Sequence, residues 1–327
     1  MQIERLDFTA PGDRLTGLYA VTQAEDLPGP TMTLRHFQMT IEGGWSRERG
    51  ETWVAVREGQ VLGGYTLHFP EADNTHLALL HLLKVHPGHR RRGLGGALLD
   101  HAMTRVKAEG RGVLVGSAAA DRPGAAFAKA HGFFPAATEA RRVLDLRTAD
   151  WSGLELMRAD AVRHARDYSV ERWIGPAGDE LLDDMARLMN GMNDAPLEDL
   201  DIEDEHWDAE RFRRHDEVLA GAGLAVYTMM ARHTATGEPA GFTRLAVDAQ
   251  EPRGWARQFD TCVLRPHRGR RLGLILKLAN LTWFHACEPS IEQVATWNST
   301  SNPHMIGINE QMGFQVLDIW NEWQLHL

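Results

Sequence analysis

"KVHPGHRRRGLGGALL", Lys84 to Leu99, passes from an apolar run through a turn at Pro87 and Gly88 into three arginines, a glycine-rich step and the aliphatic face of a helix. Upstream, Leu77 to Val85 is nearly continuously apolar, the pattern of a strand buried on both faces, and Pro87 with Gly88 ends it. From Arg92 onward Leu94, Leu98, Ala102 and Val106 recur every fourth residue, Leu99 and Met103 widen the stripe, and Gly110 supplies a C-terminal cap. The turn therefore sits at a helix N-terminus, where the first N–H groups lack partners and the dipole favours an anion. Gly93, Gly95 and Gly96 let a bulky ligand approach the backbone. A pyrophosphate fits such a place. Close packing alone explains the glycines less well, because glycine inside a helix costs about 1 kcal/mol relative to alanine. The spacing also excludes two commoner phosphate loops: no Gly-x-x-x-x-Gly-Lys-Ser/Thr is present, and Gly93-Leu94-Gly95 lacks the third glycine and later acidic residue of a dinucleotide fold.

The stretch occurs twice. In "CVLRPHRGRRLGLILK", Cys262 to Lys277, Val263 again stands five residues before an arginine, Arg268, with Gly273 matching Gly95 at a register offset of 178. Downstream, "AAFAKAHGF" closes on Gly132-Phe133 and "MIGINEQMGF" on Gly313-Phe314, an offset of 181. Upstream, "TWVAVREGQVLGGYTLHF" and "LAVYTMMARHTATGEPAGFTRLAV" each read as a hairpin before the motif. Order and spacing are both kept, so the chain reads as two copies of one αββ-β-α-β-α unit.

Strand, Val85, Arg90, two residues, Gly93-x-Gly95 resembles the coenzyme A motif of the GNAT N-acetyltransferase superfamily. The duplication resembles its tandem members, of the kind that includes mycothiol synthase and actinobacterial-type enzymes. The resemblance implies an α/β fold of two tandem GNAT domains, each with a mixed central sheet whose fourth and fifth strands splay, packed as a pseudo-dimer in a chain that works as a monomer. It implies boundaries of 1–147 for the N-terminal domain, 148–166 for a linker helix region that Asp150 caps, and 167–327 for the C-terminal domain. It also implies acetyl-CoA as cofactor, with contacts from Val85, Arg90, Arg91, Arg92, Gly93, Gly95 and Gly96 in the first copy. In the second, the matching contacts fall at Val263, Arg268, Gly269, Arg270, Arg271, Gly273 and Asn302.

The copies differ where chemistry would occur. Acyl transfer to an amine needs the amine deprotonated, the thioester carbonyl polarised and a proton returned to the leaving thiolate. Relatives in the superfamily donate that proton from a tyrosine four residues before the closing Gly-Phe; this chain has Ala128 in the first copy and Asn309 in the second. The first copy has Leu79 where some relatives carry a base. Its one nearby ionisable strand residue is His81, odd-numbered like Val85 and expected on the same face, though a lone strand histidine is more often a hydrogen-bonded core residue. His86, His89 and His101 set no metal-ligand geometry, and no metal is expected. The second copy carries Arg257, Gln258, Asp260 and Thr261 on its strand, and Arg271 in place of Gly93, suited to a charge-assisted bond to phosphate. Asp260, Thr261 and Asn309 are the catalytic candidates; the plainer alternatives are an arginine partner for Asp260 and an N-cap role for Asn302.

The composition agrees with this class. With 327 residues the chain exceeds what one core usually serves, and 43% hydrophobic with 24% charged residues is globular. No apolar run is long enough for a membrane span, and "MQIERLDFTAPGDRL" lacks a secretory pattern, so a cytoplasmic protein is expected. Cys262 and Cys287 are the only cysteines, too few for a disulfide framework. A formal net charge of -10 disfavours nucleic acid. The run "EDLDIEDEHWDAE", Glu198 to Glu210, is either a solvated face or an electrostatic funnel for a cationic amine. The expected activity is acetyl transfer to the amine of a small cationic molecule, such as an amino sugar, an antibiotic or an amino acid derivative, in the C-terminal domain. A degenerate acyl-CoA sensor or scaffold, or a peptide or protein N-acetyltransferase, is the alternative.

Overall fold

The computed structural model describes residues 1–25, 28–44 and 47–327. One sheet runs through the molecule. From one edge it contains β1 (Gln2–Arg5), β2 (Arg49–Arg57), β3 (Gln60–Phe69), β4 (Leu77–Val85) and β5 (Val113–Ala119), then β12 (Gln315–His326), β6 (Phe134–Asp145), β11 (Gln293–Ser299), β10 (Trp255–Val263), β9 (Pro239–Asp248), β8 (Leu224–His233) and β7 (Tyr168–Ile174). The order is palindromic in the repeat, with one exchange at its centre: the last strand of each copy lies in the other copy's half. β12 pairs antiparallel with β5, as Trp323 opposite Gly116, and β6 pairs with β11, as Arg142 opposite Thr296.

Each copy splays as the resemblance implies. β4 and β5 pair in parallel only from Leu77–Leu80 against Val113–Gly116, and β10 and β11 only from Trp255–Arg257 against Gln293–Ala295. Beyond those points each pair opens into a V.

Helices α3 (Leu94–Ala108) and α4 (Pro123–Ala130) follow β4 and β5, and α8 (Leu272–Cys287) and α9 (Pro303–Gln311) follow β10 and β11. The every-fourth-residue stripe of α3 buries Leu98, Leu99, Ala102 and Val106 completely, about 1.5–3 kcal/mol for each large aliphatic side chain. The opposite face of the first half carries α1 (Gly12–Gln23) and α2 (Leu34–Gly43), with Leu18, Phe37 and Ile41 packed on Val54 and Val56. In the second half α6 (Leu182–Asn190) and α7 (Ala209–Gly221) hold that place. α5 (Trp151–Val162) connects the copies, with Asp150 accepting from the Gly153 amide at 2.9 Å.

The loops before α2 and α7 also cross. Arg257 of β10 donates to the carbonyls of Pro30 and Thr31, and Thr33 bonds Asp248 at 2.9 Å. In the other direction residues 198–206 lie over the first half. Leu200 and Ile202 pack on Leu77, Leu79, Val113 and Val115; Asp199 N–H donates to Ala136, Asp201 N–H to Gln324, and Glu203 N–H to Asn74.

Candidate active site

The two motif turns have the same architecture. Arg90 donates through Nε to the Val85 carbonyl at 3.0 Å and pairs with Glu25 at 2.9 Å. Arg268 does the same to Val263 at 2.9 Å and pairs with Asp194 at 2.6 Å. The motif arginine thus clamps its turn to the end of the strand. Arg90 and Lys84 hold the Glu25 carboxyl down to about 2. Glycine and arginine trade places within the turn: φ is positive at Arg91 (61°) and Gly93 (81°) in one copy and at Gly269 (79°) and Arg271 (59°) in the other. Among the described residues no carbonyl accepts from the amides of 91–96 or of 269–274. Each turn therefore presents a concave row of N–H groups at a long helix's N-terminus, the geometry of an anion nest.

The second nest is the more open. A cleft of about 480 Å³ lies between α8 and α9, lined by Val263, Gly269, Arg271, Gly273, Gly307 and Ile308 among others. A Cβ on Gly273 would meet Ile308 at an ordinary 3.6 Å, whereas one on Gly95 would meet the Phe127 ring at 3.2 Å. In this structure Arg271 pairs with Asp160 at 2.7 Å and Arg270 approaches Asp167 at 3.8 Å. Both pairs are exposed and worth at most about 1 kcal/mol, so a phosphate can displace them. Arg91 and Arg92 are exposed beside the first nest. Gly273→Asp, which adds a carboxylate to the nest without a steric conflict, is expected to weaken coenzyme A binding at the second copy by at least tenfold in calorimetry.

A β-bulge interrupts both motif strands at equivalent places. Leu82 pairs with Thr66 and Leu80 with Leu67, leaving His81 as the extra residue; in β10 the ladder shifts between Gln258 and Thr261, leaving Phe259 and Asp260 opposite Arg244. The bulge corrects the expected placement of His81. Period-2 alternation fails across it, so His81 stacks on His68 at 5.1 Å between centroids on the α2 side, while Val85 packs on the α3 side. Burial pushes the His81 imidazole down, and that of His68 to about 3.

Asp260, where the first copy has Leu82, is half-buried, and burial raises its carboxyl above the usual range while Arg244 opposes the rise. Arg244 is itself committed to a buried ion pair with Asp216. Asp260 thus shares the field of Arg244 with Asp216 of α7, which holds the ion pair. Thr261 bonds Thr243 at 2.7 Å, and Gln258 donates to Thr243 and to the Arg244 carbonyl. The first copy has Leu83, Tyr65 and Leu80 at these positions. Asn309 is fully buried and donates to Asn298, while its Oδ1 has no partner. Asn302 caps α9 by accepting from Met305 N–H at 3.1 Å, leaving only its Nδ2 for a ligand.

The acidic run is largely a solvated face, with Glu198, Asp199, Asp201, Glu203, Asp204, Asp208 and Glu210 exposed, and several of its carboxylates have partners. Glu198 accepts from Ser299 and Thr138, Asp201 approaches His76, Glu205 accepts from Trp207, Asp208 caps α7, and Glu210 meets Arg213 and Arg214. Trp207 is core. Two further carboxyls lie at the strand exchange. Glu139 of β6 and Glu322 of β12 stand on one face, beside Ser299 and Ser117 respectively, with Trp320 opposite Glu139. Burial, then Glu322 and Glu198, push the Glu139 carboxyl up to about 7, and burial raises Glu322 against a hydrogen bond from Ser117. Sequence reasoning missed both, since each sits on a strand exchanged into the other half and nothing in local spacing marks that.

Residues 48–135 match the family of acetyltransferase (GNAT) domains. Over the whole chain the fold is similar to a tandem GNAT protein from the clavulanic acid biosynthesis pathway, solved without acetyl-CoA, at TM-score 0.80 and 26% identity over 99% of this chain and 98% of that one. It is also similar to a GCN5-related N-acetyltransferase from Sphaerobacter thermophilus (TM-score 0.62, 15% identity, 96% of this chain and 90% of that one). A putative acetyltransferase from Pyrococcus horikoshii gives TM-score 0.61 and 12% identity over 100% of this chain and 89% of that one. No curated protein matches the sequence. Splayed sheets, repeated nests and these likenesses are those of an acyltransferase of the GNAT type: residues 48–135 form a GNAT domain, and the whole chain has the fold of a tandem GNAT protein. Among the described residues no helix is long and apolar enough to cross a membrane, and no group of three His, Cys, Asp or Glu is placed to hold a metal.

Proposed function

We propose that the chain transfers an acyl group from coenzyme A, with acetyl-CoA as the superfamily's usual donor, to the amine of a small cationic molecule, and that the C-terminal copy performs the transfer. Units of 1–147 and 167–327 joined through 148–166, working in the cytoplasm, complete the proposal. The observation that carries it is Asp260: a carboxyl raised by burial at the bulge of the motif strand, where the first copy has leucine.

Each nest would hold the pyrophosphate on its amides, with Val85 and Val263 ending the strands beside the pantetheine arm. In the second copy Asp260 takes the proton from the acceptor's ammonium. Asn309 and Asn298 have no acidic proton to give, so they orient the water that returns one to the thiolate, and Thr261 keeps the strand polar at the reacting end. Glu139, Glu322 and Glu198 support a cationic acceptor, since a bound ammonium would relieve their mutual repulsion.

The first copy supports a holding role. Leu82 and Ala128 offer no proton transfer, and the crossed segment with Leu200 and Ile202 covers that side of β4 and β5. Turnover over a panel of amines, read as release of free coenzyme A thiol, tests the proposal. Absence of turnover with any amine, together with intact coenzyme A binding, would favour a sensor or scaffold instead.

A further inference from the structure

Arg244 of β9 is among the largest side chains that the protein buries completely, 1% exposed, and it stands on the α6–α7 face of the sheet. Its Nη2 donates to Asp216 of α7, and its guanidinium lies 5.4 Å from the ring centroid of Phe212, one turn earlier on that helix. Asp216 is 3% exposed and also accepts from the Ala177 N–H at 2.9 Å, so the pair is fixed between α7 and the chain that leads into α6. Among the described residues Arg244 Nε and Nη1 have no partner. A buried guanidinium satisfied at one nitrogen of its three costs stability, and in this setting its field is little screened.

The bulge brings Asp260 to it. Gln258 pairs with Leu245 and Thr261 with Thr243, so Phe259 and Asp260 both fall opposite Arg244. Beyond the bulge Cys262 packs with Phe242 and Met189 in the α6–α7 core, and Asp260, two residues before Cys262, shares that face with Arg244 and Phe242. One cation therefore serves two carboxyls from two elements. Asp216 has the direct bond; Asp260 feels the remaining field, which works against the rise that burial imposes. The other ionisable groups around them are Cys262, whose thiol burial pushes up to about 12, His215 of α7, whose ring meets Trp207 and Phe212, and Asp194, held by Arg265 and Arg268. From α6 the buried residues are Leu182, Met185, Ala186, Leu188 and Met189, none of them charged. In the first copy Thr66 takes the place of Arg244, opposite Leu82 and bonded to Thr52, so the arrangement belongs to the second copy alone.

We propose that Arg244 is a positioning residue for the transfer step, a cation shared by two carboxylates, and that Asp216 decides how much of its charge acts on Asp260. This rests on the reading of Asp260 as the base. The full charge of Arg244 would hold Asp260 as a carboxylate of low proton affinity, poor at accepting a proton from an ammonium group. With Asp216 in place most of that charge is offset, and Asp260 stays basic enough to take the proton. α7 thereby sets the chemistry of a residue on β10 that it does not bond.

The test is NMR titration of the full-length protein, which needs neither acceptor nor coenzyme A. The Asp260 carboxyl carbon is identified by its loss in Asp260→Asn. In the parent the Arg244 Nε–H resonance is expected to move with the Asp260 midpoint, and to stay still in Asp260→Asn, where His215 is still present. Asp216→Asn is expected to lower the Asp260 midpoint by about one pH unit or more, and Arg244→Gln to raise it; a merely bracing role predicts no such opposite displacements. Removing one partner of a buried pair destabilises a fold, so where a single variant does not fold, the comparison of parent with Asp260→Asn decides. An Arg244 resonance that ignores Asp260, or an Asp260 midpoint unmoved in Asp216→Asn, overturns the inference and leaves the base reading standing. Full turnover of Asp260→Asn with the coupling intact overturns the base reading, and with it the part of Arg244 in transfer.

Discussion

Asp260→Asn is expected to lower kcat by about 10²- to 10⁴-fold, the usual contribution of a positioned acid–base group. Asparagine keeps the size and the bulge but accepts no proton. Because burial raises the Asp260 carboxyl above the ordinary carboxylate range, the acid limb of the kcat/KM profile should lie above that range in the parent enzyme and disappear in the variant. Below the limb Asp260 is protonated and inactive as a base; above it the carboxylate is available. Asn309→Ala should give a smaller loss without moving the limb, since that side chain orients rather than titrates. Turnover of Asp260→Asn equal to the parent would remove Asp260 from the chemistry.

Lys277→Leu is expected to raise the melting temperature at pH 7 by several degrees and to flatten the dependence of stability on pH. Burial lowers the Lys277 amine from the ordinary 10.5 to about 7. Below pH 7 both folded and unfolded chains carry the charge, and the cost of burying it is fully present. Between about 7 and 10.5 only the unfolded chain binds the proton, so stability rises with pH, by about 1.4 kcal/mol per pH unit in the ideal case. Denaturation of parent and variant at pH 7 and 9.5 checks this. Parallel curves would show that Lys277 is solvated and titrates normally.

Much of the fold was legible because the repeat is strong where physics constrains it. The valine, the clamping arginine and the glycine of each turn recur at one offset, and each does the same thing in the structure. The exchange of β6 and β12 was not legible, since "ATEARRVLDL" and "VLDIWNEWQLHL" read as strands whichever half they join. Everything contributed by those strands went unseen with them, including Glu139, Glu322 and Arg142. His81 was misplaced for a local reason: one extra residue in a bulge reverses the face of everything before it, and alternation alone does not locate bulges. The acidic run was ambiguous because its composition suits solvent, while its role is set by Leu200 and Ile202, two apolar residues within it. Asn302 shows the converse, a cap that sequence proposed and geometry fills.

The central claim is that two similar nests serve different ends, with transfer in the C-terminal copy. The most direct test is thiol release, measured over the same amine panel, for Gly95→Asp and Gly273→Asp side by side. The account expects Gly273→Asp to lose turnover and Gly95→Asp to keep most of it. Loss confined to Gly95→Asp, with Gly273→Asp fully active, would place the chemistry in the first copy and contradict the assignment.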